Sequence, residues 1–212
     1  MYSSCWNMRR KRRDGRMKNK VIVGYQGIKY CNNYYAVLDL VDQFQQAHPD
    51  TEVEIIPLEH SDKVIEALKK KEIDYGSMAF TTDLGIKVKE TEEALKDVKY
   101  EVCGKSTIDV HHCLFKKSAD IPNDEIRVVS SHPEAIRECT MQISYFFPKA
   151  IHVPYETTGI AARDLGAGVL PDHTAVVCSK EAGLSNGLCL VKENAETISP
   201  NNTYFYMIKL EE

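Results

Sequence analysis

The sequence predicts an α/β fold in two lobes, with mostly parallel sheets and helices on both faces. Three observations predict it. From Lys20 onward, short β-branched runs alternate with segments of helical period, and strict βα alternation marks a mostly parallel sheet covered on both sides. The alternation breaks once, between Val98 and Lys117, where two strand-like runs abut without room for a full helix; this suggests a crossover between lobes. Finally, 212 residues suffice for one large domain or two small lobes around a real core. The expected division is a first lobe of residues 20–101 and 188–212 and a second of residues 102–187.

The elements follow in order. Strand-like runs at 21–23 and 52–57 flank a helix over 36–46, where Val37, Leu40, Val41 and Phe44 fall on one face. Ser61 reads as the N-cap of a helix over 62–71, and a strand over 74–79 follows. Runs at 100–103 and 110–115 form the crossover. After a strand at 127–130, Ser131-His132-Pro133-Glu134 supplies a cap and an early proline for a helix over 135–147. A strand at 151–154 leads to Thr157 or Thr158, either of which starts a helix over 159–165 that Gly166 and Gly168 terminate. Runs at 174–178 and 188–191 complete the strands. Ligands of open α/β sheets sit beyond the carboxyl ends of strands, where helix N-termini point. The loops to read are therefore 24–33, 79–87, 130–134, 155–159 and 200–205.

Composition excludes some classes. Charged residues make up 27% and apolar residues 43%, ordinary for a soluble globular protein, and no apolar run approaches the roughly 20 residues of a membrane span. The seven cysteines are scattered, with no Cys-x-x-Cys pair, and read as reduced cytoplasmic thiols. Of 27 basic and 31 acidic residues, eight and one fall in the first 20, which leaves a net charge of −11 on the remainder. A basic arm of this kind suits nucleic acid or a membrane surface. Met17, however, opens a natural domain start at Met-Lys-Asn-Lys-Val-Ile-Val, so residues 1–19 are read as a disordered upstream extension. The apolar run 21–23 is too short for the core of a secretory signal.

Several segments are familiar in sequence. Val110-His111-His112-Cys113-Leu114 and Ser131-His132-Pro133-Glu134-Ala135-Ile136-Arg137-Glu138-Cys139 resemble the "HHCL" and "SHPQAL…C" segments of prephenate dehydratases. Thr157-Thr158-Gly159-Ile160-Ala161-Ala162 is similar to "STAEAA", Ala175 to Ser179 to "AAIAS", and Asn186-Gly187-Leu188 to "YGL". Asn201-Asn202-Thr203-Tyr204-Phe205 occupies the place of "NxTRF". The ordered set is specific and spans residues 20–212. The resemblance implies a two-lobed, periplasmic-binding-protein type II-like fold with a ligand cleft between the lobes. Because the chain stops soon after the last motif, it also implies that the regulatory ACT domain, which often follows, is absent.

The departures gather in the loops that would face the ligand. Gly27 to Asn33 stands where the family has a "GTFS"-like turn, Ala79-Phe80-Thr81-Thr82-Asp83 stands for "PIENS", and Tyr204 replaces the arginine of "TRF". In the family, prephenate loses carbon dioxide and hydroxide together, aromatisation drives the step, and a weak acid assists hydroxide departure. The resemblance assigns that catalytic role to Thr203. The missing arginine would grip a substrate carboxylate in bidentate fashion, whereas Tyr204 offers one neutral hydrogen bond. Charge-assisted bonds contribute about 1.5–3 kcal/mol against about 1 for neutral ones, so at least a tenfold weakening follows unless another cation compensates. Lys29 and Lys87 are the candidates, set against their reading as solvated surface lysines. Thr81, Thr82, Asp83, Asn32 and Phe205 complete the expected substrate-binding set. The helix starts at Ser131 and Thr158 offer backbone N–H groups to an anion.

Other residues have plainer readings. His111 and His112 are placed in a strand whose alternate residues face opposite ways, which makes them a structural pair at the crossover rather than metal ligands. His132 reads as a helix-start residue and Cys31 as a small cleft residue. Asp83 is either a new acid or the cap of a turn. The resemblance implies no metal or cofactor, and the expected partner is a small anion, prephenate or similar, rather than a membrane or nucleic acid. A homodimer is compatible with this reading. Three functions stay open: the dehydratase giving phenylpyruvate, a decarboxylase that leaves the ring hydroxyl in place, and a binding protein for an aromatic or dicarboxylate metabolite.

Overall fold

A computed structural model describes residues 19–83 and 85–211, so the basic arm lies outside the described residues except for Asn19, whose backbone opens the first strand. The chain divides into two compact units. Among the described residues, unit 1 holds 19–28, 32–108 and 202–211, and unit 2 holds 29–31 and 109–201.

Unit 1 contains β1 (Asn19–Tyr25), α1 (Asn32–Ala47), β2 (Thr51–Pro57), α2 (Ser61–Lys69), β3 (Tyr75–Thr82), α3 (Lys89–Ala94), β4 (Tyr100–Asp109) and the last strand, β10 (Asn202–Leu210). Its sheet runs β2-β1-β3-β10-β4. The first three strands are parallel, and β10 enters antiparallel to β3. Val37, Leu40 and Phe44 of α1 are buried as their spacing predicts. Val64, Ile65 and Leu68 of α2 pack with Ile73, Met78 and Ile208.

Two local expectations change here, and one helix was not expected. Residues 202–205, read as part of a loop, begin the nine-residue strand β10. Ser61 does not cap α2: the N-cap is His60, which makes no side-chain capping bond. The Ser61 N–H instead donates to Glu90 Oε1 at 2.8 Å, and the Ser61 hydroxyl lies 3.0 Å from Thr91 Oγ1. A carboxylate from α3 thus satisfies the start of α2, doing from a distance what a local cap does. The helix α3 itself has a polar sequence without an apolar stripe and escapes prediction by periodicity.

Unit 2 contains β5 (Cys113–Lys116), β6 (Val128–Ser131), α4 (Pro133–Glu138), α5 (Thr140–Phe146), β7 (Ile151–Pro154), α6 (Thr158–Gly166), β8 (Thr174–Cys178), α7 (Lys180–Ser185) and β9 (Cys189–Lys192). Its sheet order is β7-β6-β8-β5-β9, with β7, β6 and β8 parallel and β5 antiparallel to both β8 and β9. Alternation of side chains covers both faces. Leu114, Val129, Ala175 and Val177 pack with Ile136, Ile143 and Phe147 from α4, α5 and the residue after it, whereas Cys113, Phe115, Val176 and Cys178 pack with Ala161, Leu165 and Ala182 from α6 and α7.

The expected boundaries shift for physical reasons. β9 pairs with β5, so residues 188–201 belong to unit 2. β4 continues to Asp109, which moves the first boundary from 101/102 to 108/109. The helix expected over 135–147 is interrupted at Cys139, whose ψ of 7° leaves the helical range.

Candidate functional site

The motif at 201–205 is organised by how β10 meets β3. Thr203 lies opposite Thr82 and Tyr204 opposite Thr81, and the register shifts between Tyr204 and Phe205. Directly paired residues project from one face of a sheet, so Thr203 and Thr82 share one face while Tyr204 and Thr81 share the other. The shift is a bulge that gives β3 the extra residue Phe80, a device that re-aims side chains at strand ends. Phe205 is buried in the core of unit 1.

Beyond Thr82 the chain turns back. The Gly85 N–H donates to Thr82 O with Gly85 at φ +70°, a conformation suited to glycine, and Lys87 bridges to Thr81. Asp83 is gripped in this turn. Its N–H donates to Asn202 O at 3.0 Å, and its Oδ2 accepts from the Asn202 N–H at 3.2 Å and from Asn202 Nδ2 at 2.8 Å. Its Oδ1 accepts from the Tyr204 hydroxyl at 2.6 Å. The Tyr204 hydrogen bond, reinforced by Asn202 against partial desolvation, holds the Asp83 carboxyl below its ordinary pKa, and the same bond raises that of Tyr204. At neutral pH one is a carboxylate and the other a neutral phenol, so neither is tuned to give up a proton. Asp83 therefore acts as an acceptor rather than as a new acid.

The two threonines on the opposite face differ from this pair. No hydrogen-bond partner meets the Thr203 hydroxyl among the described residues. The Thr82 Oγ1 is buried and also lacks a partner. An unmet buried hydroxyl costs about 1–3 kcal/mol. Thr82→Val, which keeps the shape and suits a strand, is accordingly expected to raise stability by about 1 kcal/mol in chemical denaturation. A loss of stability would reveal a partner for this hydroxyl in solution.

Of the candidate cations, Lys87 places its ammonium 2.7 Å from Glu92 Oε1 on the surface, and Lys29 lies over the Tyr30 ring at 4.9 Å from its centroid. Asn32 opens α1, and beside it buried Asn33 ties the helix to the sheet through Gln26 O and Ser77 O. In unit 2, the Ser131 hydroxyl is buried and donates to Val177 O at 2.6 Å, so it is engaged within the fold and does not cap α4. His132 takes that role and accepts from the Glu134 N–H. Thr157 caps α6 by accepting from the Ile160 N–H at 3.1 Å, and Thr158 is the first helical residue.

A second polar group, in unit 2, is one that sequence reasoning missed. His111 and His112 lie in the connector between β4 and β5 rather than in a strand. His112 is buried, with Nε2 3.0 Å from Glu138 Oε2, an oxygen that also accepts from Asn201 Nδ2 at 2.9 Å. Asn201 is further held by its N–H to Asp109 Oδ1 at 2.8 Å and by its carbonyl, which accepts from the Val110 N–H at 2.9 Å. Glu196 accepts from the His112 N–H and lies 2.8 Å from His111 Nδ1. Burial pushes the Glu138 pKa up, but the hydrogen bond and charge of His112, the Asn201 amide and Arg137 outweigh it and hold the carboxyl below its ordinary value. Among the described residues no three His, Cys, Asp or Glu side chains gather as a metal ligand set, and no helix is long and apolar enough to cross a membrane.

The prephenate dehydratase family model matches residues 23–212, nearly all of the described chain. The chain belongs to the prephenate dehydratase family. Arogenate dehydratase 5, chloroplastic, of Arabidopsis thaliana is 28% identical over 186 residues, covering 88% of this chain and 41% of its own length. Arogenate dehydratase 1 of Petunia hybrida is 26% identical over 189 residues, covering 89% and 42%. The chain thus spans about two fifths of the length of these curated relatives. Among solved structures, the prephenate dehydratase of Arthrobacter aurescens in complex with L-Phe superposes with a TM-score of 0.71 at 17% identity, covering 91% of this chain and 60% of that one. A quorum-quenching acylase, GqqA, superposes at 0.65 with 21% identity, covering 90% and 64%. At these identities the likeness is one of fold.

Three motifs that identify a prephenate dehydratase by sequence meet in the Glu138 group. His112 comes from "HHCL", Glu138 from the helix segment before Cys139, and Asn201 from the start of "NxTRF". Two of the departures from the family pattern, Asp83 at the end of the segment that stands for "PIENS" and Tyr204 for arginine, are hydrogen-bonded to each other. Adjacency to matched motif positions is the signal that could have found Glu138 and Asn201. For the Asp83–Tyr204 bond the signal was the coincidence of two departures.

Proposed function

We propose that this chain is a carbon–oxygen lyase of the dehydratase type, acting on prephenate or a close analogue. The ring carboxylate leaves as carbon dioxide, its electron pair enters the ring, and the hydroxyl opposite departs as hydroxide, which takes up a proton to become water. Aromatisation supplies the driving force, so a weak acid suffices and no redox group is required. The observation that carries this reading is the Thr203 hydroxyl: it stands at the family's threonine position, on a strand of fixed register, with no protein partner among the described residues. Its proton is available to a departing oxygen. Free thiols at Cys103, Cys113, Cys139 and Cys178 support placement in a reducing compartment such as the cytoplasm.

A binding protein without turnover is the second reading. It is favoured by the bond between Tyr204 and Asp83, which engages the phenol that would otherwise reach a ligand carboxylate. Incubation of the purified full chain with prephenate separates the readings. Phenylpyruvate, followed by its absorbance in alkali, is the expected product. Loss of prephenate without phenylpyruvate would replace dehydration by decarboxylation, and a rise in unfolding temperature with no chemistry would leave a binding protein.

A further inference from the structure

We propose that Asp83 is a positioning residue that brackets Thr203: it holds the two chain neighbours, Asn202 and Tyr204, and so fixes the direction of the Thr203 hydroxyl. The inference rests on the dehydratase reading and names what aims its proton donor.

The first argument is geometric. Side chains alternate along β10, so Asn202 and Tyr204 project to one face of the sheet and Thr203 to the other. On the first face Asp83 takes hold of both neighbours. Its Oδ2 accepts from the Asn202 N–H at 3.2 Å and from Asn202 Nδ2 at 2.8 Å, while its Oδ1 accepts from the Tyr204 hydroxyl at 2.6 Å. Its own N–H donates to Asn202 O at 3.0 Å. One carboxylate thus spans the residues on either side of Thr203 without hydrogen-bonding Thr203 itself. A bracket of this kind restrains the two soft dihedrals of the residue between.

The second argument is need. The register of β10 on β3 shifts after Tyr204, so the end of the strand keeps two register pairs with β3, Thr203 with Thr82 and Tyr204 with Thr81. A bulge disrupts the ladder locally and bends the strand. The Thr203 hydroxyl meets no partner among the described residues, and the χ1 of a β-branched residue follows its backbone. The backbone therefore aims this hydroxyl, and Asp83 reinforces the backbone where the ladder is weakest. Aim matters, because a misplacement of about 1 Å can slow a reaction on the order of a hundredfold. The third argument is independence from the fold. The Asp83 side chain is exposed, and its turn is closed by backbone bonds, from the Gly85 N–H to Thr82 O and from the Thr82 N–H to Ile86 O. Removing the carboxylate leaves the turn in place and frees the strand end alone.

The test measures kcat and KM for prephenate in the full chain, in Asp83→Ala, Asp83→Asn and Tyr204→Phe, and in the double variant of Asp83→Ala with Tyr204→Phe. Asp83→Ala is expected to lower kcat about tenfold, with KM within about twofold and an unfolding midpoint close to the parent. Asparagine keeps an acceptor for Asn202 and turns a donor toward the Tyr204 oxygen, which can accept, so Asp83→Asn should retain about half of the parent kcat or more. Tyr204→Phe opens one side of the bracket, and its effect on kcat should vanish in the Asp83→Ala background. An asparagine variant as slow as the alanine variant would mean that the charge is used rather than the shape. A Tyr204→Phe effect of equal size with and without Asp83, or an Asp83→Ala variant of parental kcat, would equally overturn the bracket. Orientation is also read without turnover, by nuclear magnetic resonance of isotope-labelled threonine methyl groups, with the Thr203 signal assigned by its absence from Thr203→Val. Its vicinal couplings should report one χ1 rotamer in the parent and an average in Asp83→Ala. If the parent does not convert prephenate, the dehydratase reading fails and these couplings decide alone: averaging in the variant supports the bracket, and identical couplings remove it.

Discussion

Replacement of Glu138 by alanine is expected to cost about 3 kcal/mol of folding stability, visible as a lower denaturation midpoint at an unchanged slope. The side chain is 15% exposed and His112 is 7% exposed, so water replaces little of what is lost. One carboxylate oxygen accepts from both His112 Nε2 and Asn201 Nδ2; an ionised carboxylate can only accept, so the imidazole hydrogen must sit on Nε2. Alanine strands the buried His112 donor, at about 1–3 kcal/mol, and takes one acceptor from the half-buried Asn201 amide, which keeps a long bond to Val110 O. Glu138→Gln keeps the volume and one acceptor and should recover roughly half of the loss. The pH dependence has a definite sign. The folded pKa of Glu138 lies below that of an ordinary glutamate. Its contribution is therefore fully present above the unfolded pKa and disappears as pH falls through the folded value. In the glutamine variant that acid-side component should vanish. A change below about 1 kcal/mol for the alanine variant would mean that the two donors find other acceptors.

The same group marks the limit of reading this fold from its sequence. Periodicity located α1 through Val37, Leu40 and Phe44, and β-branched runs located the parallel strands, because burial of one face imposes a local repeat. Elements stabilised by distant partners carried no such repeat. Ser61 looks like a cap, yet the acceptor at the start of α2 is Glu90, 29 residues away. Ser131 looks like another, but its hydroxyl is engaged by Val177 O, 46 residues on. Glu138 and Asn201 are 63 residues apart, and Asp83 and Tyr204 are 121 apart; no local pattern encodes either pair. β10 was obscured because its first residues were read as a motif, although Tyr204, Phe205, Tyr206 and Ile208 have the aromatic and β-branched character of a strand. Thr203 was legible by position within that motif. The hydrogen bond between Tyr204 and Asp83 was not, since it depends on a turn brought alongside by the pairing of β3 with β10.

Thr203→Val is expected to lower kcat at least about 100-fold, at the lower end of what a positioned proton donor contributes, with KM changed much less. Valine preserves the shape and the β-branching that β10 requires. Because no described residue hydrogen-bonds the hydroxyl, the unfolding midpoint should stay near that of the parent chain. That separation matters, since a structural threonine would change stability and activity together. Thr203→Ser, which restores the hydroxyl without the methyl group, should return most of the rate, while Thr82→Val on the same face should leave kcat within a few-fold because its Oγ1 is closed off from solvent. In the proposed reaction the Thr203 hydroxyl serves where negative charge develops on the departing oxygen, and that charge is small in the bound ground state. Its loss should therefore fall on the transition state rather than on binding. If Thr203→Val retained a third or more of the parent kcat, proton donation would have to come from another residue or from water, and the threonine would serve only to place Tyr204 beside Asp83.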